Sequence, residues 1–220
     1  MAETLLLVAA GGLAREVLAA VRTHGRFDVV GFLDDAPVLQ GTTIDGVPVL
    51  GPVDAVATRP EPLVLVCAGH GLARERLVAR LDALGVSPQR YATFVHPAAE
   101  VSDGCEVGAG SIVLAGVVMT AAVVLGEHVV VMPNVTLTHD DVLQDFATVC
   151  AGVALGGAVV VGRGAYLGMG SSVRERTLVG AGATLGMGAV LVHDLPQGQT
   201  WAGIPARPLH TADEQRVTDR

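Results

Sequence analysis

From Val101 onward the chain returns to an aliphatic residue every sixth position: Val107, Val113, Met119, Leu125, Val131, Leu137, Leu143, Val149, Leu155, Val161, Leu167, Val173, Val179, Leu185 and Leu191. Val, Leu, Ile or Met fills roughly a third of this stretch, so such a run arises by chance less than about once in a million. The residue four after each anchor is small or β-branched throughout, from Cys105 and Ser111 to Ala183 and Ala189, with Asp141 as the one exception. Those two positions lie two apart across a repeat boundary, so on a strand they share one face, and that face is the core. The residues between must form a corner. Glycine directly follows the anchor at Gly108, Gly126, Gly156, Gly162, Gly168, Gly180 and Gly186, where a bend is expected to use its freedom in φ. Three strand-corner units make a triangular turn of eighteen residues, and the repeat predicts a parallel β-helix of about five turns.

Composition fits a narrow prism. Half of the residues are apolar yet only 3% are aromatic, and there are 28 glycines, whereas an ordinary core of this size uses more large rings. The net charge of -8, with no basic stripe, argues against a nucleic-acid partner. The first residues lack the basic flank of a signal peptide and no apolar run reaches spanning length, which predicts a soluble cytoplasmic protein with no membrane partner. Cys67, Cys105 and Cys150 show neither metal-ligand nor redox spacing and read as small apolar fillers.

The first ninety or so residues carry a different pattern. A strand over Thr4 to Ala9, a turn at Gly11 and Gly12, a helix over Ala14 to Thr23 and a strand over Val29 to Leu33 form a βαβ unit ending at Asp34 and Asp35. A second unit has its strand at Leu63 to Ala68, its turn at Gly69 to Gly71 and its helix at Leu72 to Leu84. The predicted organisation is a Rossmann-like α/β domain over residues 1–95, a β-helix over 96–210 and a polar tail over 211–220.

The flat faces and glycine-rich corners of such a prism leave little room for chemistry, so an ionisable corner residue stands out. His139 lies in the run Thr138-His139-Asp140-Asp141. An imidazole beside a carboxylate can be held in one tautomer and take a proton near neutral pH, which is a general-base arrangement. His128 and His193 also occupy corners, without a following acid pair. Asp141 falls at an inward position, where an unpaired carboxylate would be costly. It must be hydrogen-bonded, protonated or turned outward, and either Asp140 or Asp141 could support the imidazole.

The α/β domain, the His96-Pro97 entry, the hexapeptide prism, the His139-Asp140 pair and the ending Gly203-Ile204-Pro205-Ala206-Arg207 together resemble the bacterial sugar acyltransferases. These comprise the sialic acid O-acetyltransferase group and the N-acetyltransferases of amino-sugar nucleotides. The resemblance covers nearly the whole chain and implies a left-handed prism, assembly as a homotrimer, and acetyl-CoA as co-substrate with no metal. It implies that His139 is the general base and Asp140 its support, and that Gly157 offers a backbone N–H to the thioester carbonyl. By the same resemblance Leu167, Gly168, Met169, Met187, Gly188, Gly203, Pro205, Ala206 and Arg207 line the acetyl-CoA cleft between adjacent prisms, with Arg174, Arg176 or Arg207 meeting phosphates. Gly11 and Gly12, with Asp34 and Asp35, would bind the nucleotide-sugar. Departures are Ala9 for a glycine and Leu13 for a histidine in the N-terminal turn, Thr138 for a frequent glutamate, and Thr148 where some members carry a second histidine. The implied reaction is acetyl transfer to an amine or hydroxyl of a sugar, foremost an amino-sugar nucleotide. Alternatives are O-acetylation of sialic acid or another sugar, and a non-catalytic sugar- or coenzyme-binding scaffold. A zinc carbonic anhydrase on the same prism would need converging histidines, and no close histidine pair accompanies His139.

Overall fold

The computed structural model describes residues 2–209; the polar tail expected at 211–220 lies outside the described residues. The N-terminal part contains β1 (Glu3–Val8), α1 (Gly12–His24), β2 (Phe27–Leu33), β3 (Thr43–Ile44), β4 (Val47–Gly51), β5 (Leu63–Val66) and α2 (Gly71–Ala83). Its sheet runs β3-β4-β2-β1-β5, parallel except for β3. Leu13, Ala14, Val17, Leu18 and Val21 of α1 recur at helical spacing and are buried, packing with Leu5, Leu7 and Phe32 of the sheet. The chain leaves β1 for β2 on one side and β5 on the other. A crevice therefore opens between the loops after β1 and β5, which is where open α/β sheets take ligands.

Ala9, in the first of those loops, has φ 69. The loop is held by Ala9 N–H to Leu33 O (2.9 Å) and Ala10 N–H to Asp34 Oδ2 (2.8 Å). A left-handed conformation costs an L-residue roughly 1–2 kcal/mol. Ala9→Gly is therefore expected to stabilise the chain by about 1 kcal/mol, visible as a higher melting temperature; an unchanged or lower one would show that the loop carries no such strain.

Beyond it, three parallel sheets close a prism. Face 1 begins at Phe94–Val95 and includes Ile112–Val113, Val130–Val131, Thr148–Val149, Tyr166–Leu167 and Thr184–Leu185; face 2 runs from Glu100–Val101 to Val190–Leu191; face 3 runs from Glu106–Val107 to Leu178–Val179. Partners lie one turn of the repeat apart, as in Val118↔Thr136 and Val124↔Val142. Every anchor from Val113 to Leu191, and every small inward residue from Ser111 to Ala189, is buried. The first prism strand, Phe94–Val95, pairs with Ile112–Val113 and lies just ahead of residue 96.

The expected role of the corner glycines is corrected. Left-handed backbone falls at the third residue after the anchor, where Gly104, Gly110 and Gly152 share the conformation with Ala122, His128, Asp140 and Phe146. The glycines directly after the anchor are required by stacking instead: a Cβ on Gly108 would lie 2.3 Å from Gly126 O, and one on Gly168 would lie 2.6 Å from Met187 N. Successive coils approach too closely there for a side chain.

The α/β domain sits on face 1. Ile112, Leu114 and Val130 join its core, and Arg74 of α2 is fully buried against the prism. With no carboxylate partner among the described residues, Arg74 donates to His128 O (2.7 Å), Ala68 O (2.6 Å), Phe146 O (2.9 Å) and Thr148 Oγ1 (3.1 Å). Burial pulls its pKa down to about 10. Beside it, His128 stacks on Phe146 and meets the edge of Tyr91; burial and then the Arg74 charge lower its pKa to about 4. Acidification below about 6.5, the ordinary histidine value, protonates the unfolded chain before the folded one, so His128 withdraws stability as pH falls. His128→Phe should keep the stack, and its melting temperature should gain on the wild type as pH drops from 7 to 5. A difference that is constant with pH would remove His128 from the acid response.

Candidate active site

The corner joining face 2 to face 3 carries Thr138, His139 and Asp140. Asp140, at φ 64, makes the left-handed turn, and its Oδ2 lies 2.8 Å from His139 Nδ1. A carboxylate only accepts, so Nδ1 carries the hydrogen and Nε2 keeps its lone pair. Both side chains are about two-thirds exposed, so the pair adds little to stability and its value is orientation.

Gly157 lies on the next coil, directly beneath the ring: a Cβ there would be 2.2 Å from His139 Nε2. The flanking N–H groups are taken, Gly156 by Val173 O and Ala158 by His139 O. Among the described residues the Gly157 N–H has no partner. A basic nitrogen and a free backbone donor thus share one small region of surface, which suits proton removal beside a developing oxyanion. Of the two candidate supports, Asp140 contacts the imidazole. Asp141 is buried, with Oδ2 accepting from Thr138 N–H and Oδ1 from Val159 N–H, both at 2.8 Å.

The coenzyme candidates divide. Gly168, Met169, Met187, Gly188, Gly203, Pro205 and Arg207 follow the corner joining face 1 to face 2 near the C-terminal end of the prism. Met169, Met187 and Ile204, the last within the Gly203 to Arg207 tail, form an exposed apolar ridge there. Leu167 and Ala206 have their side chains buried in the prism core, so only their backbone is open to a ligand. Arg174 and Arg176 lie on the His139 corner, and neither forms an ion pair among the described residues.

The nucleotide-sugar candidates gather at the edge of the α/β sheet. A Cβ on Gly11 or Gly12 would meet nothing within 4 Å, so the fold leaves open space above the turn. Asp34 and Asp35, expected to bind sugar or base hydroxyls, also hold loop backbone. Asp34 accepts from Ala10 and Ala36 N–H at 2.8 Å each. Asp35 accepts from Val53 N–H and pairs with Arg80, whose hydrogen bond holds that carboxyl below its ordinary pKa. Both carboxylates build loops. The crevice between the loops after β1 and β5 contains a cavity of about 210 Å³, lined by Leu13 and His70 on one side and by Thr148, Cys150 and Tyr166 of face 1 on the other. His70 stacks on Tyr166 at 4.8 Å. No motif marked His70 or Tyr166 in the sequence. Thr148 donates to Gly69 O and accepts from Arg74, so it serves the domain junction.

This cavity is on face 1, and His139 is on the corner opposite that face. One chain does not bring them together. Among the described residues no three His, Cys, Asp or Glu side chains group as a metal site, and no helix is long and apolar enough to cross a membrane.

Residues 4–81 match the family model described as the PglD N-terminal domain. No curated protein sequence matches the chain. Among solved structures, the acetyltransferase domain of PglB from Neisseria gonorrhoeae FA1090 is 34% identical, with a TM-score of 0.86 over 94% of this chain and 100% of that one. It is also known in complex with acetyl coenzyme A. PerB from Caulobacter crescentus, in complex with CoA and GDP-perosamine, is 28% identical over 94% of this chain and 97% of that one, with a TM-score of 0.86. The perosamine N-acetyltransferase of that organism has also been solved with one histidine replaced by asparagine or alanine. WeeI from Acinetobacter baumannii AYE is 28% identical over 94% of this chain and 100% of that one, with a TM-score of 0.83.

Proposed function

We infer that this chain, which belongs to the hexapeptide-repeat sugar acetyltransferases, moves the acetyl group of acetyl-CoA to the amine of a nucleotide-linked amino sugar, with His139 as general base. The observation that carries the chemistry is the placement of His139 Nε2 over Gly157, with Nδ1 tied to Asp140. Nε2 takes a proton from the amine as the nitrogen attacks the thioester carbonyl. The Gly157 N–H stabilises the oxyanion of the tetrahedral intermediate. Collapse expels the CoA thiolate, which recovers the proton from the imidazolium.

The active form in this proposal is a homotrimer. Face 3 presents Val124, Val142, Val160 and Leu178 outward as an aliphatic ladder, a surface suited to burial against another prism. The opposition of cavity and His139 supports a site shared between copies, in which a sugar held by one α/β domain meets the His139 of a neighbour. Acetyl-CoA would lie between prisms, its apolar arm along Met169 and Met187 and its phosphates toward arginines such as Arg174 and Arg207. The cytoplasm is the compartment proposed for this activity.

Mixing two inactive variants tests the shared site. Asp34→Ala removes the acceptor of the Ala10 N–H and should disorder the sugar half, while His139→Ala removes the base. Subunit exchange between them should restore part of the turnover, whereas a site contained in one chain gives none.

A further inference from the structure

Asp141 is the one acid at an inward position of the repeat, and it is fully buried. Elsewhere the corner N–H after the anchor joins the next coil, as Gly126 N–H does to Leu143 O and Cys150 N–H to Leu167 O. At Thr138 that N–H turns to Asp141 Oδ2, and the Thr138 hydroxyl reaches Leu155 O at 3.1 Å instead. The other carboxylate oxygen takes Val159 N–H, two residues after Gly157. One buried side chain thus fastens the coil that carries the base to the coil that lies beneath it.

We propose that Asp141 is a positioning residue of the acetyl transfer: its carboxylate fixes the Thr138–Asp140 corner so that the His139 ring lies over Gly157, and its charge supports the imidazolium formed during the reaction. This rests on the reading of His139 as the base. Burial pushes the Asp141 pKa up to about 6, against the pull of the Val159 and Thr138 N–H groups and of His139. A raised carboxyl adds stability below the ordinary value and loses it as pH rises through about 6. At neutral pH the fold therefore holds this charge at a cost, a pattern expected at functional positions. Its charged neighbours are His139 and Asp140; the inward residues of the coils on either side, Val123 and Val159, are uncharged.

Ser111 supplies a control for the fold. From the equivalent inward position its Oγ accepts Val129 N–H, eighteen residues ahead, and donates to Gly126 O. In D141S the hydroxyl can take Val159 N–H in the same way but loses Thr138 N–H and the charge. D141N keeps the side-chain shape and loses the charge and one of the two acceptors. Both variants are to be assayed in the full chain, per coenzyme-binding site, with His139→Ala alongside. Misplacing a catalytic group by about an ångström costs up to roughly 100-fold. The expected result is a fall in kcat of about ten-fold or more, with KM for acetyl-CoA within about two-fold. With the negative charge gone the imidazole releases its proton more readily, so the acid limb of kcat/KM should move to lower pH in both variants. Wild-type kcat and an unmoved limb overturn the proposal, and so does a loss of kcat with an unmoved limb, which would make Asp141 part of the fold alone. Full turnover in His139→Ala would instead remove the reading beneath it, a separate outcome.

Discussion

Replacing His139 by alanine is expected to lower kcat about a thousand-fold, within the range general-base catalysis supplies, while acetyl-CoA still binds. The ring is largely exposed and its fold-related contact is the hydrogen bond to Asp140, so removing it leaves the prism core untouched. What is lost is, among the described residues, the base poised beside the Gly157 N–H. Coenzyme affinity should persist because the apolar ridge at Met169 and Met187 lies on a different corner. Calorimetry with acetyl-CoA and steady-state assays separate the two effects. Loss of binding together with turnover would instead make His139 a structural residue.

Gly157→Ala should cost about 100-fold in kcat at little cost in stability. Gly157 is outside the left-handed region, so alanine is allowed by the backbone. The clash of its methyl is with the movable imidazole, 2.2 Å from Nε2, and the ring must swing away from its reactive position. Gly156→Ala is the contrast, since its Cβ would lie 2.6 Å from the backbone nitrogen of Glu175, which cannot move without parting the coils. The first variant should lose activity and keep its melting temperature; the second should lose stability. If Gly157→Ala retained full activity, the ring would not need the space above residue 157.

The prism was legible because its core is a strict period: an aliphatic every sixth position leaves one way to bury the side chains. The catalytic corner was legible for the same reason, since counting in sixes set His139 outward and marked Asp141 as inward. The role of the corner glycines was misread because spacing does not distinguish a need for left-handed backbone from a need for close stacking, and only the approach of Gly108 to Gly126 separates them. The loop-holding role of Asp34 and Asp35 was not legible, because Ala10 N–H, Val53 N–H and Arg80 are brought to them only by the fold. His70 and Tyr166, far apart in the chain and carrying no motif, line the junction cavity for the same reason.

Acetyl transfer from acetyl-CoA to an amino sugar is to be followed as thiol release from acetyl-CoA over a panel of nucleotide-linked amino sugars, their hydroxyl counterparts and free sugars. The expected release depends on an amino-sugar nucleotide and matches, mole for mole, an acetamide seen by mass spectrometry. Thiol release that is the same with and without acceptor, and yields no acetylated sugar, would contradict it.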